Sequence, residues 1–583
     1  MLSNGKIKIS LGLILLVLVG MVNAAPPHPD LLEKIHSGEI VTPSYLNLDN
    51  RQEYGLDAPG SQQLLKSVLT DEIKTAHGKA LASGTFNAIA LLVNFTDKAS
   101  TVSATKFDSL LFSADGHTVR DYYSEISYNQ LDLVSVDLPS SSGWFTAPQT
   151  NSYYANGEYG TGYSSYPNNA QKLVEDLVAL ADGSVDFSNY DNDNNGYVDV
   201  LIVIHSGQGG EVSGNTNDIW SHKWNTRSPR ATGDGVSVFE YTIQPEYIQN
   251  PGDMTIGVFC HELGHAFGLP DLYDTYDGPG DNNSYGIGMW GIMAYGSWGG
   301  INGNLPTHPC AWSRIQMGFA NATNVTANVT GQSIPDVKTN GDIYRLWTSG
   351  SVGDEYFLVE NRQRTGYDGD LPAAGLLIWH IDEAMETIDN TDNAYPWYPG
   401  LDSTQHYRVA LEQADGLFEL EHGNDFGDGN DIFLNGRVFN ATSSTNSNSY
   451  RNGVSFVAVD NISSPGATMT ADFTVALAAG VEDNNPETNL PNRVTLRQNY
   501  PNPFNPSTEI SFYTDQAGKA ELTVYNLSGQ KVKTVFSGSV AAGDNSFTWH
   551  GDNDSGADVA SGIYFYRLEL NGQQSMKKMA LIK

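Results

Sequence analysis

The densest chemistry in the chain lies in Cys260-His261-Glu262-Leu263-Gly264-His265-Ala266-Phe267-Gly268-Leu269-Pro270-Asp271. His261 and His265 stand four apart, so on a helix their imidazoles lie one above the other on a single face. Two such nitrogens grip one Zn²⁺ at about 2.0–2.1 Å. Glu262 falls beside them, within reach of a proton on a metal-held water. Ile256, Phe259, Leu263 and Phe267 recur at helical spacing and predict a buried opposite face. Gly268 suits a helix stop at positive φ, and Pro270 prevents resumption. The chain then swings Asp271 back as a third ligand, leaving the fourth position for water, as a catalytic zinc site requires. A loop aspartate here also suits a cap or a calcium ligand. The chemistry implied is hydrolysis, with Glu262 taking a proton from the attacking water and passing it to the leaving amine.

A second set of oxygen donors follows another pattern. Asp191-Asn192-Asp193-Asn194-Asn195-Gly196-Tyr197-Val198-Asp199 matches the front of an EF-hand loop. Asp191, Asp193 and Asn195 stand at positions 1, 3 and 5, Gly196 at 6, and the Tyr197 carbonyl at 7. Ile202 occupies position 12, where a glutamate is expected, so Asp199 at position 9 must substitute. A plain Asn/Asp turn is the alternative. Asp425, Asp428 and Asp431, in a Gly-rich loop, suggest a second calcium site.

The elements that position these groups can be traced along the chain. It has 583 residues and a net charge of 31 − 67 = −36. That excludes sequence-independent nucleic-acid binding, which needs basic stripes, and argues against docking on anionic lipid. Lys6 and Lys8 precede an apolar run from Ile9 to Val22, and Val22-Asn23-Ala24 offers small residues for signal cleavage. Residues 1–24 therefore read as a signal peptide. The run is too short to span a bilayer comfortably, and no later segment gives a stable membrane span. Residues 25–84 suit a pro-segment, with helices around Leu31–His36 and Gln62–His77. Asp30, Asp57 or Asp71 could cover the zinc from it. It holds neither cysteine, which excludes a cysteine switch. Cys260 and Cys310 allow one disulfide or two buried thiols. From Phe86 strands alternate with helices: Phe86–Phe95 and Val198–His205 as strands, Val119–Ile126 and Asn169–Ala181 as helices. The expected order is an α/β catalytic domain over 85–320, a β-sandwich domain over 321–475, a polar linker over 476–490 and a β-rich unit over 491–583.

The zinc segment His261-Glu262-Leu263-Gly264-His265-Ala266-Phe267-Gly268-Leu269-Pro270-Asp271-Leu272-Tyr273-Asp274 resembles the signature of the immune inhibitor A family of secreted metalloproteases, the M6 peptidases. That family is similar to the metzincins, so the resemblance implies an α/β zincin whose zinc rests on a methionine turn. Gly291-Ile292-Met293-Ala294-Tyr295-Gly296 supplies the turn. It places Met293 beneath the ligands and lets Tyr295 hydrogen-bond a developing oxyanion. Asp271 departs from most metzincins, which carry a third histidine there. Val119–Tyr128, Ile219–Trp224, Glu355–Arg362 and Leu377–Asp382 extend the resemblance over about residues 26–475. The lone His205, His222, His308 and His380 read as structural or rim residues.

The last unit, from Leu496-Arg497-Gln498-Asn499-Tyr500-Pro501-Asn502-Pro503-Phe504-Asn505-Pro506 to Met579-Ala580-Leu581-Ile582-Lys583, resembles the type A sorting domain of type IX secretion systems. The resemblance implies an immunoglobulin-like β-sandwich, the type IX machinery as partner, and a Gram-negative source with a secreted or cell-surface product. The function expected is a zinc endopeptidase acting on protein and peptide substrates, with Zn²⁺ and Ca²⁺ as cofactors. Two alternatives are a catalytically spent, calcium-stabilised surface adhesion protein and a non-peptidase zinc hydrolase.

Overall fold

Two apolar runs make the centre of the main sheet. Ile89–Asn94 and Leu201–Gln208 are parallel neighbours, and their side chains alternate between two cores. Ile89, Leu91, Val93, Leu201 and Val203 face one core; Ala90, Leu92, Ile202 and Ile204 face the other. Burial on both sides explains why Ile89–Val93 and Leu201–Ile204 are wholly apolar. In this computed structural model the described residues are 23–37, 39–40, 84–274, 284–385, 406–450 and 453–476. In the C-terminal unit they are 494–496, 499, 504–514, 517–526, 530–570 and 573–581. The signal core, the helix expected over 62–77, Asp57, Asp71 and most of the linker lie outside them.

The sheet runs in the order Asn23–Ala24, His222–Ala231, Ser237–Tyr247, Leu201–Gln208, Ile89–Asn94, Trp144–Thr146. The inner pairs are parallel, whereas His222–Ala231 is antiparallel to its neighbour. The strand expected as Phe86–Phe95 is broken at Ala88. Gly84–Asn87 leaves the sheet to pair with Leu131–Val134. One face is covered by the helix Ala170–Ala181, which buries Leu173, Val174, Leu177 and Val178 and is capped by Asn169 accepting from Lys172 N. The helices Val119–Ile126 and Gly257–Ala266 pack in the other core, where Tyr123 OH donates to Cys260 O at 2.8 Å.

Between residues 321 and 475 the described residues form a β-sandwich. A five-stranded sheet runs Val409–Leu411, Gly375–Asp382, Glu355–Arg362, Ile343–Leu346, Ala322–Val325. A three-stranded sheet runs Val329–Pro335, Thr468–Thr474, Ala458–Asp460, and Phe357, Ile378, Val459 and Phe473 meet in the core between the two. The sandwich does not separate from what precedes it at residue 320. Leu377, Trp379 and Ile381 alternate to the other face of their strand and enter the core of the zinc-motif helix. Chain contacts therefore divide the protein only at Ala478 and Ala479. In the second unit the strands Val494–Leu496, Thr508–Thr514 and Gly543–Trp549 make one sheet. Lys531–Val540, Gly518–Asn526, Gly562–Leu570 and Gln573–Leu581 make another, around Phe512, Leu522, Trp549 and Tyr566. Among the described residues no helix is long and apolar enough to cross a membrane.

His380 shows how the sandwich depends on pH. Its buried ring lies between Glu412 (Nδ1 to Oε1, 2.9 Å) and Glu355 (Nε2 to Oε1, 3.1 Å). Burial alone would pull its pKa down, but hydrogen bonds to both carboxylates carry it up to about 9. A pKa raised on folding adds stability that is fully present below the unfolded value, about 6.5, and is lost as pH rises through the folded one. In urea titrations the stability gap between wild type and His380→Gln is expected to be widest near pH 6 and to shrink by pH 10. A gap independent of pH would show that the ring is not charged in the fold.

Candidate metal centre

The helix Gly257–Ala266 is buried along nearly its whole length. It ends because Gly268 takes φ +89°, letting Gly268 N donate to His265 O and Leu269 N to Gly264 O, each at 3.0 Å. This paired arrangement closes the last turn. It also aims a ligand, because the freed Leu269 carbonyl accepts from His265 Nδ1 at 2.8 Å. His261 Nδ1 donates to Ile292 O, also at 2.8 Å. A carbonyl can only accept, so each neutral ring carries its proton on Nδ1 and presents a bare lone pair at Nε2.

Those lone pairs converge. His261 Nε2 and His265 Nε2 are 3.1 Å apart, and Asp271 Oδ1 is 3.1 Å from each. All three side chains are buried. Burial holds His265 below its ordinary pKa. Burial would raise the Asp271 carboxyl, but the two imidazoles beside it hold it lower than usual. Three acceptors facing one point in a dry interior repel one another unless a cation sits among them. The residues therefore fit a divalent metal held by two nitrogens and one oxygen, the donor set of a catalytic zinc site.

Glu262 is fully buried, and neither of its oxygens meets hydrogen-bond geometry with any described residue. Burial pushes its pKa well up, helped by the charges of Asp271 and Glu211 and opposed by the Ala25 amide and Lys223. Met293 follows the carbonyl that orients His261, and Leu272 N donates to Met293 O at 2.7 Å. A Cβ on Gly264 would overlap Met293 Sδ, so only glycine admits this approach beneath the ligand helix. Tyr295 lies in an aromatic group with Tyr273, Tyr285 and Phe426, and Tyr273 is 6.3 Å from the His261 ring.

Other expected residues fall as follows. Cys260 and Cys310 are separate buried thiols rather than a disulfide. Burial raises both, Cys310 to about 11. Asp30 does not cover the centre, because its side chain is 83% exposed. His205 and His222 are buried and lowered to about 4, as neutral core histidines. Asp191, Asp193 and Asp199 bring one carboxylate oxygen each within 4.8 Å of the others. Asn195 Oδ1 is taken by Tyr197 N at 2.8 Å, and Tyr197 is 39% exposed. The second acidic group consists of Asp415, Glu419, Asp428 and Asp431. Asp425 is outside it and accepts from Gly427 N instead. Asp431 is buried, its Oδ1 has no partner among the described residues, and burial pushes it up to about 7.

Residues 87–321 match the family model of the immune inhibitor A peptidase M6 catalytic domain. The chain carries an M6 peptidase domain. Pre-pro-metalloprotease PrtV of Vibrio cholerae serotype O1 (strain M66-2) is 34% identical over 248 residues, 36% of this chain and 25% of PrtV. Immune inhibitor A of Bacillus thuringiensis subsp. alesti is 33% identical over 222 residues, 33% of this chain and 30% of that protein. The chain thus spans about a quarter to a third of the length of these curated relatives. Residues 499–574 match an FlgD Ig-like domain, so the C-terminal unit is Ig-like. Among solved structures, dimeric latent PorU of Porphyromonas gingivalis overlaps 20% of this chain and 11% of its own at 19% identity. The TM-score of 0.14 is too slight to define a shared fold.

A segment outside residues 87–321 also approaches Glu262. The Ala25 amide lies beside Glu262, and the carbonyls of Ala24, Ala25 and Pro26 accept from Tyr273, Trp220 and Trp298. Backbone contacts leave no side-chain signature, so only the three aromatic donors could have hinted at them.

Proposed function

We propose that the chain is a secreted zinc endopeptidase, with His261, His265 and Asp271 as the zinc ligands and Glu262 as general base. The observation that carries this reading is the convergence of two Nε2 lone pairs and one carboxylate oxygen on a single buried point beside an unpaired glutamate. Similarity to pre-pro-metalloprotease PrtV and to immune inhibitor A supports it. Bound zinc supplies a Lewis acid that acidifies water and polarises a carbonyl. Glu262 takes the proton from the attacking water and delivers it to the leaving amine. Leu269 O and Ile292 O hold both imidazoles in the ligating tautomer. Met293 supports the ligand helix from beneath, and Tyr295 is the proposed donor to the oxyanion.

Two further assignments complete the reading. Asp191, Asp193 and Asp199, with Asn195 and the Tyr197 carbonyl, are proposed to bind Ca²⁺, supported by the close approach of the three carboxylates. The C-terminal Ig-like unit is proposed as a type IX export tail, placing the product outside a Gram-negative cell. Its separateness from the rest of the chain supports that role.

On a casein gel, wild type is expected to clear substrate and to stop when zinc is chelated. Glu262→Gln should keep its zinc yet lose activity by roughly 10²- to 10⁴-fold. Asp271→Asn should weaken zinc binding by about tenfold or more in chelator competition. Full activity in Glu262→Gln would remove that residue from the base role. Ca²⁺ at a hundredfold over its dissociation constant should stabilise the fold by about 2.7 kcal/mol. A melting temperature unmoved by Ca²⁺ in wild type, or equally raised in Asp193→Asn, would discard the calcium site. In a host with type IX secretion, a chain ending at Ala478 should stay inside the outer membrane while the full chain leaves; equal export would refute the tail's role.

A further inference from the structure

A second set of carboxylates lies against the loop that carries Met293, and it comes from the sandwich. Asp415, Glu419, Asp428 and Asp431 each bring one oxygen within 4.8 Å of the others. They stand on one irregular segment, residues 415–431, whose ends are joined where Ala414 N donates to Asp431 O at 2.9 Å. Proximity alone does not make a site. The deciding atoms are buried oxygens with nothing to accept from. Asp431 is 1% exposed, and its Oδ2 accepts from Trp290 Nε1 at 3.0 Å and from Asp428 N at 2.9 Å. Its Oδ1 is buried and has no partner among the described residues. Asp415 repeats the pattern: Oδ1 accepts from Leu417 N at 3.0 Å, while Oδ2 is buried and unpartnered. Burying charged oxygens without donors is costly unless a cation meets them. The donors are all carboxylate oxygens, which favours a hard cation over zinc. Aspartates and a glutamate on an irregular segment suit the adaptable shell of Ca²⁺ better than the small, strict octahedron of Mg²⁺.

The same segment meets the Met293 loop at three points. Trp290 Nε1 donates to Asp431 Oδ2, Met289 N to Phe426 O at 2.7 Å, and Tyr285 N to Leu420 O at 2.9 Å. The Phe426 ring stacks on Tyr285 at 4.2 Å and lies 4.6 Å from the Tyr295 ring. The approach is close: a Cβ on Gly288, at φ +54°, would overlap Phe426 O. Trp290 and Ile292 share this loop, and the Ile292 carbonyl accepts from His261 Nδ1 at 2.8 Å. A short chain of contacts thus runs from Asp431 through Trp290 and Ile292 to His261.

We propose that Asp415, Glu419, Asp428 and Asp431 bind Ca²⁺, and that this ion fixes the 415–431 segment against the Met293 loop and so steadies His261 in the metal centre. The proposal rests on the metallopeptidase reading for the zinc at that centre, but not for the calcium ion. The site shares no residue with the calcium loop at Asp191, Asp193 and Asp199, and its ligands lie outside residues 87–321. Two ions that favour one arrangement of a shared loop strengthen each other's binding by the same factor. The sandwich then contributes to the centre an ion that positions a ligand, rather than a ligand of its own.

The test uses the full chain with Glu262→Gln, which prevents self-digestion, and with Asp193→Asn, which disables the other calcium loop. By titration calorimetry this chain is expected to bind one Ca²⁺. Adding Asp431→Asn should weaken that binding about tenfold or more, since a ligand loses its charge while an acceptor remains for Trp290. Asp415→Asn serves where Asp431→Asn fails to fold. Zinc affinity, read by competition with a zinc-selective fluorescent chelator, should be several-fold higher with Ca²⁺ than without it. That gain should vanish in either aspartate variant, whereas a merely structural role for these side chains would not make zinc binding respond to Ca²⁺. A folded Asp193→Asn chain that binds no Ca²⁺, or binding unmoved by both aspartate variants, overturns the site. Zinc affinity independent of Ca²⁺ overturns the coupling. A wild type that binds a single Ca²⁺ and keeps it in Asp193→Asn upholds this site and removes the one at Asp191. With Glu262 restored, calcium-linked zinc binding in a chain that hydrolyses no peptide upholds the proposal and removes the peptidase reading instead.

Discussion

Everything in the M6 domain turns on where two protons sit. The Nδ1 protons of His261 and His265 are fixed by Ile292 O and Leu269 O, and this leaves both Nε2 lone pairs aimed at Asp271 Oδ1. Each carbonyl is available only because of a local backbone event. Leu269 O is freed by the left-handed turn at Gly268, and Ile292 O by the loop that carries Met293. Helix, helix stop and methionine turn are thus one device for orienting two rings.

The loop around Met293 is itself held from the sandwich. Arg362, buried on Glu355–Arg362, reaches Trp290 O at 3.4 Å and His308 O at 3.5 Å. Asp368 accepts from the same guanidinium at 2.5 and 2.6 Å and from His308 N at 2.9 Å. Removing one partner of such a buried pair strands the other charge without water, at a cost of about 3–5 kcal/mol. Glu360 lies within 3.4 Å of Arg362 and accepts from Trp379 Nε1, so the charges are bound into the core that crosses residue 320. The sandwich acts as a clamp on the loop that carries Met293, in keeping with its single compact unit with the M6 domain.

Legibility in the sequence followed the range of each interaction. The ligand helix and its glycine stop were readable because periodicity, Gly268 and Pro270 all act within a few residues. The β-rich character of residues 321–475 was visible, but the alternation along Gly375–Asp382 carried the second, hidden information that Trp379 and Ile381 belong to the neighbouring core. Phe86–Phe95 read as one strand because nothing local marks the departure of Gly84–Asn87 to Leu131–Val134. Asp415 and Glu419 were missed beside Asp428 and Asp431 because the approach is made by folding, not by spacing. Ala24 was read as the end of a signal peptide and Ala25–Pro27 as the start of a pro-segment. Their place at the centre depends on backbone groups that every residue owns.

That segment also covers what would otherwise be an open sheet edge. An open edge offers unpaired donors and acceptors to any neighbouring chain, and proteins protect such edges with charge, proline or bulges. His222–Ala231 does so over its far half, where Arg227, Pro229 and Arg230 stand at the register break between Asn225 and Arg230. Its near half, from His222 to Asn225, is mostly buried and carries neither proline nor bulge, and its one charge, Lys223, is paired with Glu240. Covering that half with the chain's own Asn23–Ala24 protects the edge without altering it.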